Sequence, residues 1–267
     1  MNNFRPYIFY GLSIVTLILS SCQKVIDLNL DQTSPKLVIE ATITNNFIQH
    51  SVSLSETVSF DASTRKMPVS GAVVVLNDEN GSVIRFTEQG QNPGQYRSPY
   101  FRGIPGRKYT LNVTVNGKTY TASSVMPSPV PIESLNLVNM SFFGEIRKMI
   151  EVNYMDPAGE ANYYYSRIWV NDIRRDQFFV DSDRFTNGRE VKNTLFIDEP
   201  YLKNGDEVSV QMFTIDEHVY RYLYSITQIT GNGGPPTVPT NPVSNFNHGA
   251  LGYFSASTVS QMRITIK

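Results

Sequence analysis

The sequence holds one cysteine, Cys22, in 267 residues, so no intrachain disulfide can form and an exported fold must hold by packing alone. Histidine is nearly as scarce, with only His50, His218 and His248. There is no second thiol, no His-x-x-x-His pair and no HExxH run, so the usual zinc ligand sets are missing. No Gly-x-Ser-x-Gly elbow occurs, and the three histidines are assigned to surface or packing rather than to base catalysis. An excess of one charge is absent too: 23 basic and 24 acidic residues leave a net charge of −1, which gives no field for nucleic acid or a polyanion. The glycines show no phosphate-loop spacing, and no cofactor is expected. Beyond the first 20 residues no apolar run approaches the roughly 20 residues that a spanning helix needs.

What is present begins at the N-terminus. Arg5 precedes an uninterrupted apolar run to Leu19, and Leu19-Ser20-Ser21-Cys22 supplies small residues before the cysteine. These are the charged, apolar and cleavage parts of an export signal. A cut before Cys22 makes its thiol the expected site of lipidation, with anchoring by acyl chains at about 0.8 kcal/mol per CH₂. Residues 1–21 are read as a lipoprotein signal peptide and residues 22–33 as a lipidated tether, which is too short for a long leash.

The rest is rich in aromatic and β-branched residues, with 15 Tyr and 15 Phe, and reads as all-β. In LVIEATIT, the set Leu37, Ile39, Ala41 and Ile43 alternates with Val38, Glu40 and Thr42, as a half-buried strand requires. Asn80-Gly81 and Asn116-Gly117 each close an expected hairpin. Tyr109, three residues after Gly106, is placed to make a tyrosine corner. Met126-Pro127-Ser128-Pro129-Val130-Pro131 cannot enter a central strand, which sets a domain boundary there. Two β-sandwiches are therefore expected, at 34–128 and 129–267. In the second, Val219, Leu223 and Ile226 recur at helical spacing, which predicts one amphipathic helix over 216–229. A long Pro/Gly-rich loop follows it, and the chain ends in two predicted strands.

The ordered set of Val25-Ile26-Asp27-Leu28 after the cysteine, LVIEATITN, VSGAVVVLND, GIPGRKYTLNVTVNGKTYTASSVMP and GALGYFSAS resembles the DUF4249 lipoproteins of Bacteroidetes. The PG-x-x-Tyr-x-Leu-x-Val piece is also similar to carboxypeptidase-regulatory and transthyretin-like modules, which are Ig-like sandwiches. The resemblance implies an outer-membrane lipoprotein often encoded beside a TonB-dependent receptor. It implies no catalytic residue.

The candidate surface for a ligand or partner is aromatic. Tyr163, Tyr165 and Trp169 share one face of a predicted strand with Arg167, to be either core or binding platform. Phe178, Phe179 and Phe185 fall in DQFFVDSDRFTNGR, read as an excursion that could present a partner-facing patch. Asp181 and Asp183 in the same stretch are a weak Ca²⁺ candidate whose spacing misses the EF-hand pattern. The expectation is a non-enzymatic outer-membrane accessory of a TonB-dependent transporter, on the cell surface in preference to the periplasmic face, capturing ligand or capping the pore. The alternative is a structural or adhesive envelope protein.

Overall fold

The computed structural model describes residues 35–58, 66–230 and 242–267; the signal segment, Cys22 and most of the Pro-rich loop lie outside them. Residues 35–267 form one compact unit. Among the described residues the protein is all-β with a single long helix.

The first half follows the alternation in its sequence. In β1 (Leu37–Thr44) the four odd-numbered apolar residues are buried while Val38, Glu40 and Thr42 are half-buried. β1 pairs antiparallel with β2 (Ile48–Glu56), which also carries the two-residue β3 (Met67–Pro68). β4 (Val73–Asp78), β5 (Val83–Gln89), β6 (Asn92–Phe101), β7 (Lys108–Val115) and β8 (Lys118–Val125) follow, and the sheet runs β1-β2-β6-β5-β4-β7-β8. Alternate residues of both ends of this path meet in one core that includes Ile39, Leu54, Leu76 and Leu111. Asn116 and Gly117 both take positive φ (49° and 76°), the pairing that lets a two-residue turn match strand twist. The buried Tyr109 accepts a hydrogen bond at Oη from the Ile104 N–H at 2.8 Å, so the expected corner forms.

The second half is built in layers. β9 (Ser134–Phe142), β10 (Glu145–Met155) and β13 (Glu190–Leu195) make a small sheet in the order β13-β10-β9. It packs on one face of β12-β11-β14, formed by β11 (Tyr163–Val170), β12 (Ile173–Ser182) and β14 (Glu207–Ile215), with Ile150, Tyr164, Ile168 and Val210 between them. The helix α1 (Glu217–Thr230) covers the opposite face through Val219 and Leu223. Its start is set by Asp216, whose Oδ1 accepts from the Val219 N–H at 2.9 Å. Asp216 Oδ2 also accepts from the Ser124 hydroxyl on β8, which ties the helix start to the first half.

Two expectations are corrected. The end of the chain is one strand, β15 (Leu251–Thr265), not two. The stretch read as an excursion from 176 is mostly β12, paired to β11 through Val180↔Tyr165 and Phe178↔Arg167; only the 3₁₀ turn Asp183–Phe185 and the turn after it leave the sheet.

β15 joins the halves. Residues 251–257 run parallel to β1, and residues 258–265 run antiparallel to β14. The predicted boundary at 128/129 falls between the two large cores, yet this strand enters both, giving Phe254 and Ala256 to the first and Ile266 just beyond it to the second. Gly252 makes the close approach possible: at φ +91° a Cβ there would lie 2.0 Å from the Ile39 carbonyl oxygen.

Candidate functional site

Because side chains alternate across a strand, β11 serves two interiors. Tyr164, Ser166, Ile168 and Val170 turn toward the small sheet and are buried. Tyr163, Tyr165 and Arg167 turn toward α1, where Tyr163 lies 4.8 Å from Tyr220 and Tyr165 lies 5.5 Å from Phe178, ring to ring. The expected aromatic face therefore exists, but beneath a helix. Trp169 is half-buried at its end, opposite Arg174.

The phenylalanines of the candidate patch do not sit together. Phe178 packs under α1 and Phe179, the next residue, packs against the core on the other face of the sheet. Phe185 alone is largely free, at 80% exposure in the 3₁₀ turn. A strand cannot place consecutive side chains on one face, and it is the reading of this stretch as a loop that had grouped them.

The acidic candidate is also divided among local roles. Asp181 accepts from the Asn193 amide, and burial pushes its carboxyl pKa up. Asp183 is buried in the 3₁₀ turn with one oxygen lacking a partner. Among the described residues no group of three or more His, Cys, Asp or Glu is arranged to hold a metal. His50 is buried, its Nε2 at 3.1 Å from the Phe101 carbonyl and its ring edge-on to the Phe101 ring. It serves packing, whereas His248 is exposed, edge-on to the Tyr120 ring.

The space beneath α1 is the feature that sequence reasoning missed as a site. A cavity of about 220 Å³ opens where β1, β11, β12, β15 and the helix meet, with Arg167, Tyr165, Phe178, Tyr222, Leu223 and Tyr253 among its walls. Arg167 is largely enclosed, its guanidinium 4.9 Å from the Tyr165 ring centre and 5.5 Å from that of Phe213. Its Nε donates to Tyr165 Oη at 2.5 Å, and the Tyr253 hydroxyl also bears on it. Burial opposes its charge while these hydroxyls favour it, and the net effect holds its pKa above the ordinary value. Burial raises the Tyr222 phenol to about 12 and the Tyr253 phenol also upward, so both are neutral at physiological pH.

Among the described residues no carboxylate lies within ion-pairing distance of this cation. Glu40, the acid from β1 at the cavity wall, pairs with Lys66 at 2.7 Å. A second void of about 10 Å³, roughly the least that holds a water, adjoins the cavity and shares Arg167, Tyr165, Leu223 and Tyr253 with it. Ser255 also lines this void, and its hydroxyl is buried without a partner. The one sequence signal that points here is Arg167 itself, a cation in the middle of an aromatic strand. Its neighbours come from positions 40, 178, 222 and 253, which nothing local connects.

No curated protein matches the chain. Among solved structures it is similar to the crystal structure of a DUF4785 family protein from Legionella pneumophila, with 10% identity and a TM-score of 0.25. That match covers 67% of this chain and 52% of the other, so the chain spans about half the length of that protein. The profile described as "Domain of unknown function (DUF4249)" matches residues 23–263, nearly all of the sequence after the cysteine, and the chain belongs to that family.

Proposed function

We propose that the protein is an outer-membrane lipoprotein, anchored through Cys22, that captures a ligand for a TonB-dependent transporter and does no chemistry on it. The anchor rests on the charged, apolar and small-residue order that ends at Leu19-Ser20-Ser21-Cys22. Segment 23–34 spans at most about 40 Å even when fully extended, so a body beginning at Pro35 works close to the membrane. The transporter rests on the family resemblance of the sequence. No helix among the described residues is long and apolar enough to cross a membrane.

The observation that carries ligand capture, in preference to pore capping, is the cavity under α1. It sets charged and amide side chains of β1, β11 and β12 against Phe178, Leu223 and tyrosine rings, a mixed wall that can orient and enclose a small polar molecule. Its titratable groups are three arginines, Glu40, Asp176 and tyrosines, of which Tyr222 and Tyr253 are held neutral, and no Ser, Cys, Lys or His lines it to pair a nucleophile with a base.

A second reading, a structural or adhesive envelope protein, draws on the β9–β10 hairpin. Phe143 at its tip is fully exposed at φ 48°, in the left-handed region that bulky residues avoid, and Ile146 beside it is exposed as well.

Purification from detergent-solubilised outer membrane separates the two. Capture predicts a co-purifying β-barrel of the transporter class. Recovery of the lipoprotein alone, with normal nutrient uptake and altered surface attachment in a deletion strain, supports the adhesive reading instead.

A further inference from the structure

We propose that the cavity beneath α1 binds a small organic carboxylate, its head group on Arg167 and Ser255 and its apolar body against Phe178, Tyr222 and Leu223. This names the ligand class for the capture reading above and rests on it.

Three observations converge. First, the guanidinium is largely enclosed between ring faces and tyrosine hydroxyls and among the described residues forms no ion pair, while Glu40 and Asp176 stand elsewhere on the same wall. A desolvated cation is costly unless an anion completes it, and a planar carboxylate matches the two-pronged donor geometry of arginine. Second, the Ser255 hydroxyl is 2% exposed and unpartnered, and lines the small void that Arg167 also lines. An orphaned hydroxyl beside an unanswered cation is the pair that one anionic oxygen satisfies. Third, the helix side of the wall carries Leu223, Ile226 and the Tyr222 ring, and the charged groups that remain come from β1 and β12. Arg174 and Asp176 are exposed on β12, and Glu40 is held by Lys66.

The side chains of Arg175 and Gln177 are partly committed elsewhere, although Arg175 Nε is buried without a partner. Arg175 donates to the Pro200 carbonyl at 3.2 Å, and Gln177 bonds the backbone of Phe196 and Asp198. Arg167, the cation among the rings, therefore takes one negative charge, Arg175 on the same wall adds to the positive field, and the aromatic and aliphatic side chains favour a ligand with an apolar body over a bare ion. A volume of about 220 Å³ suits a compact acid or the acidic end of a longer molecule.

The test is calorimetric titration of the full lipidated protein in a nonionic detergent with benzoate, its neutral isostere benzamide, and inorganic phosphate. The expected result is saturable one-to-one binding of benzoate, with benzamide weaker by at least about tenfold, as loss of a charge-assisted hydrogen bond implies. Phosphate binds more weakly than benzoate. Arg167→Gln loses at least about tenfold in benzoate affinity, and Ser255→Ala loses less, because it removes one hydrogen bond and no charge. The ligand comparison on the unaltered protein needs no variant, so it stands even if Arg167→Gln does not fold.

Equal affinity for benzoate and benzamide overturns the proposal, as does full benzoate affinity in folded Arg167→Gln. Phosphate binding as tightly as benzoate replaces the carboxylate and its apolar body with a bare anion site. Absence of saturable benzoate binding also overturns the ligand class. The reading on which it rests fails by a different sign, since a barrel that does not co-purify argues against transport whatever benzoate does.

Discussion

The two halves of the chain use the same strands to different ends. The first half closes a dry core: Ile39, Leu76, Leu111 and Val113 are fully enclosed, and its buried polar groups have partners, as with the hydroxyls of Tyr96 and Tyr109. In the second half the sheet has two covered faces. One is as dry as the first half, and the other holds an arginine, five tyrosines, an orphaned serine and open space. Folding alone gives no reason to keep a cation without a counter-charge in an interior. The difference teaches that one sheet can carry a close-packed face and a polar, incompletely filled one, and the proposed ligand would complete the second.

The largest expected effect is on the strand that links the halves. Gly252→Ala forces a Cβ against the Ile39 backbone at a positive φ, where neither β1 nor β15 can yield cheaply. A loss of more than about 3 kcal/mol is expected, with both halves melting together in calorimetry and chemical denaturation. Separate transitions, with the second half unaffected, would break the account of β15 as a shared strand.

Next come matched truncations. Leu111→Ala empties a fully enclosed site in the first core and is expected to cost about 3–4 kcal/mol. Leu223→Ala, at 4% exposure, widens a cavity that already opens to water and is expected to cost nearer 2 kcal/mol. Equal costs by denaturant titration would mean that the face under α1 is an ordinary core.

This contrast also explains what could be read from the sequence. Leu37, Ile39, Ala41 and Ile43 alternate without interruption, and they are buried as the period requires. Asn116-Gly117 and the 3.6-residue spacing of Val219, Leu223 and Ile226 are local signals, and the structure has the hairpin there and the helix at Glu217–Thr230. β12 was hidden because an edge strand under a helix carries Arg174, Asp176 and Asp181 within its run, so its polarity looks like that of a loop. β15 was read as two strands because Gly252 and the serines at 255, 257 and 260 interrupt the apolar pattern. Its parallel pairing with β1 joins residues some 200 apart in the chain, for which short-range pattern gives no cue. The cavity was invisible for the same reason: Arg167, Tyr222 and Tyr253 meet only through that pairing and the helix crossing.

A smaller effect probes the tie between halves at Asp216. Asp216→Ala removes the helix cap and leaves Ser124 without its acceptor, for an expected loss of about 1–2 kcal/mol. Burial pushes the Asp216 carboxyl pKa up, so the folded state holds this proton more tightly than the unfolded one. Its contribution to stability is therefore greatest below the unfolded pKa and falls as pH rises through the folded pKa. Asp216→Asn, which caps about as well, should gain on the parent protein as pH is raised across that window. Thermal melts at several pH values check this, and parallel pH profiles would contradict it.

The smallest expected change in stability is at the site itself. Arg167→Met replaces a buried cation with an apolar chain of similar length and is expected to leave stability unchanged or to raise it by about 1 kcal/mol. A stabilised protein that no longer binds ligand would sharpen the contrast between a half built for packing and a face built for binding. A large destabilisation would make Arg167 a structural member like Leu111.

The most direct test of the central claim, that the face under α1 is a ligand site, is the Arg167 Nε–H resonance in a ¹⁵N-labelled protein during benzoate titration, assigned by its loss in Arg167→Gln. The account predicts a saturable shift of that resonance, matched by the Tyr222 and Tyr253 ring signals and absent with benzamide at the same concentration. An Arg167 signal that stays in place while benzoate perturbs other parts of the protein, or perturbs none, would contradict it.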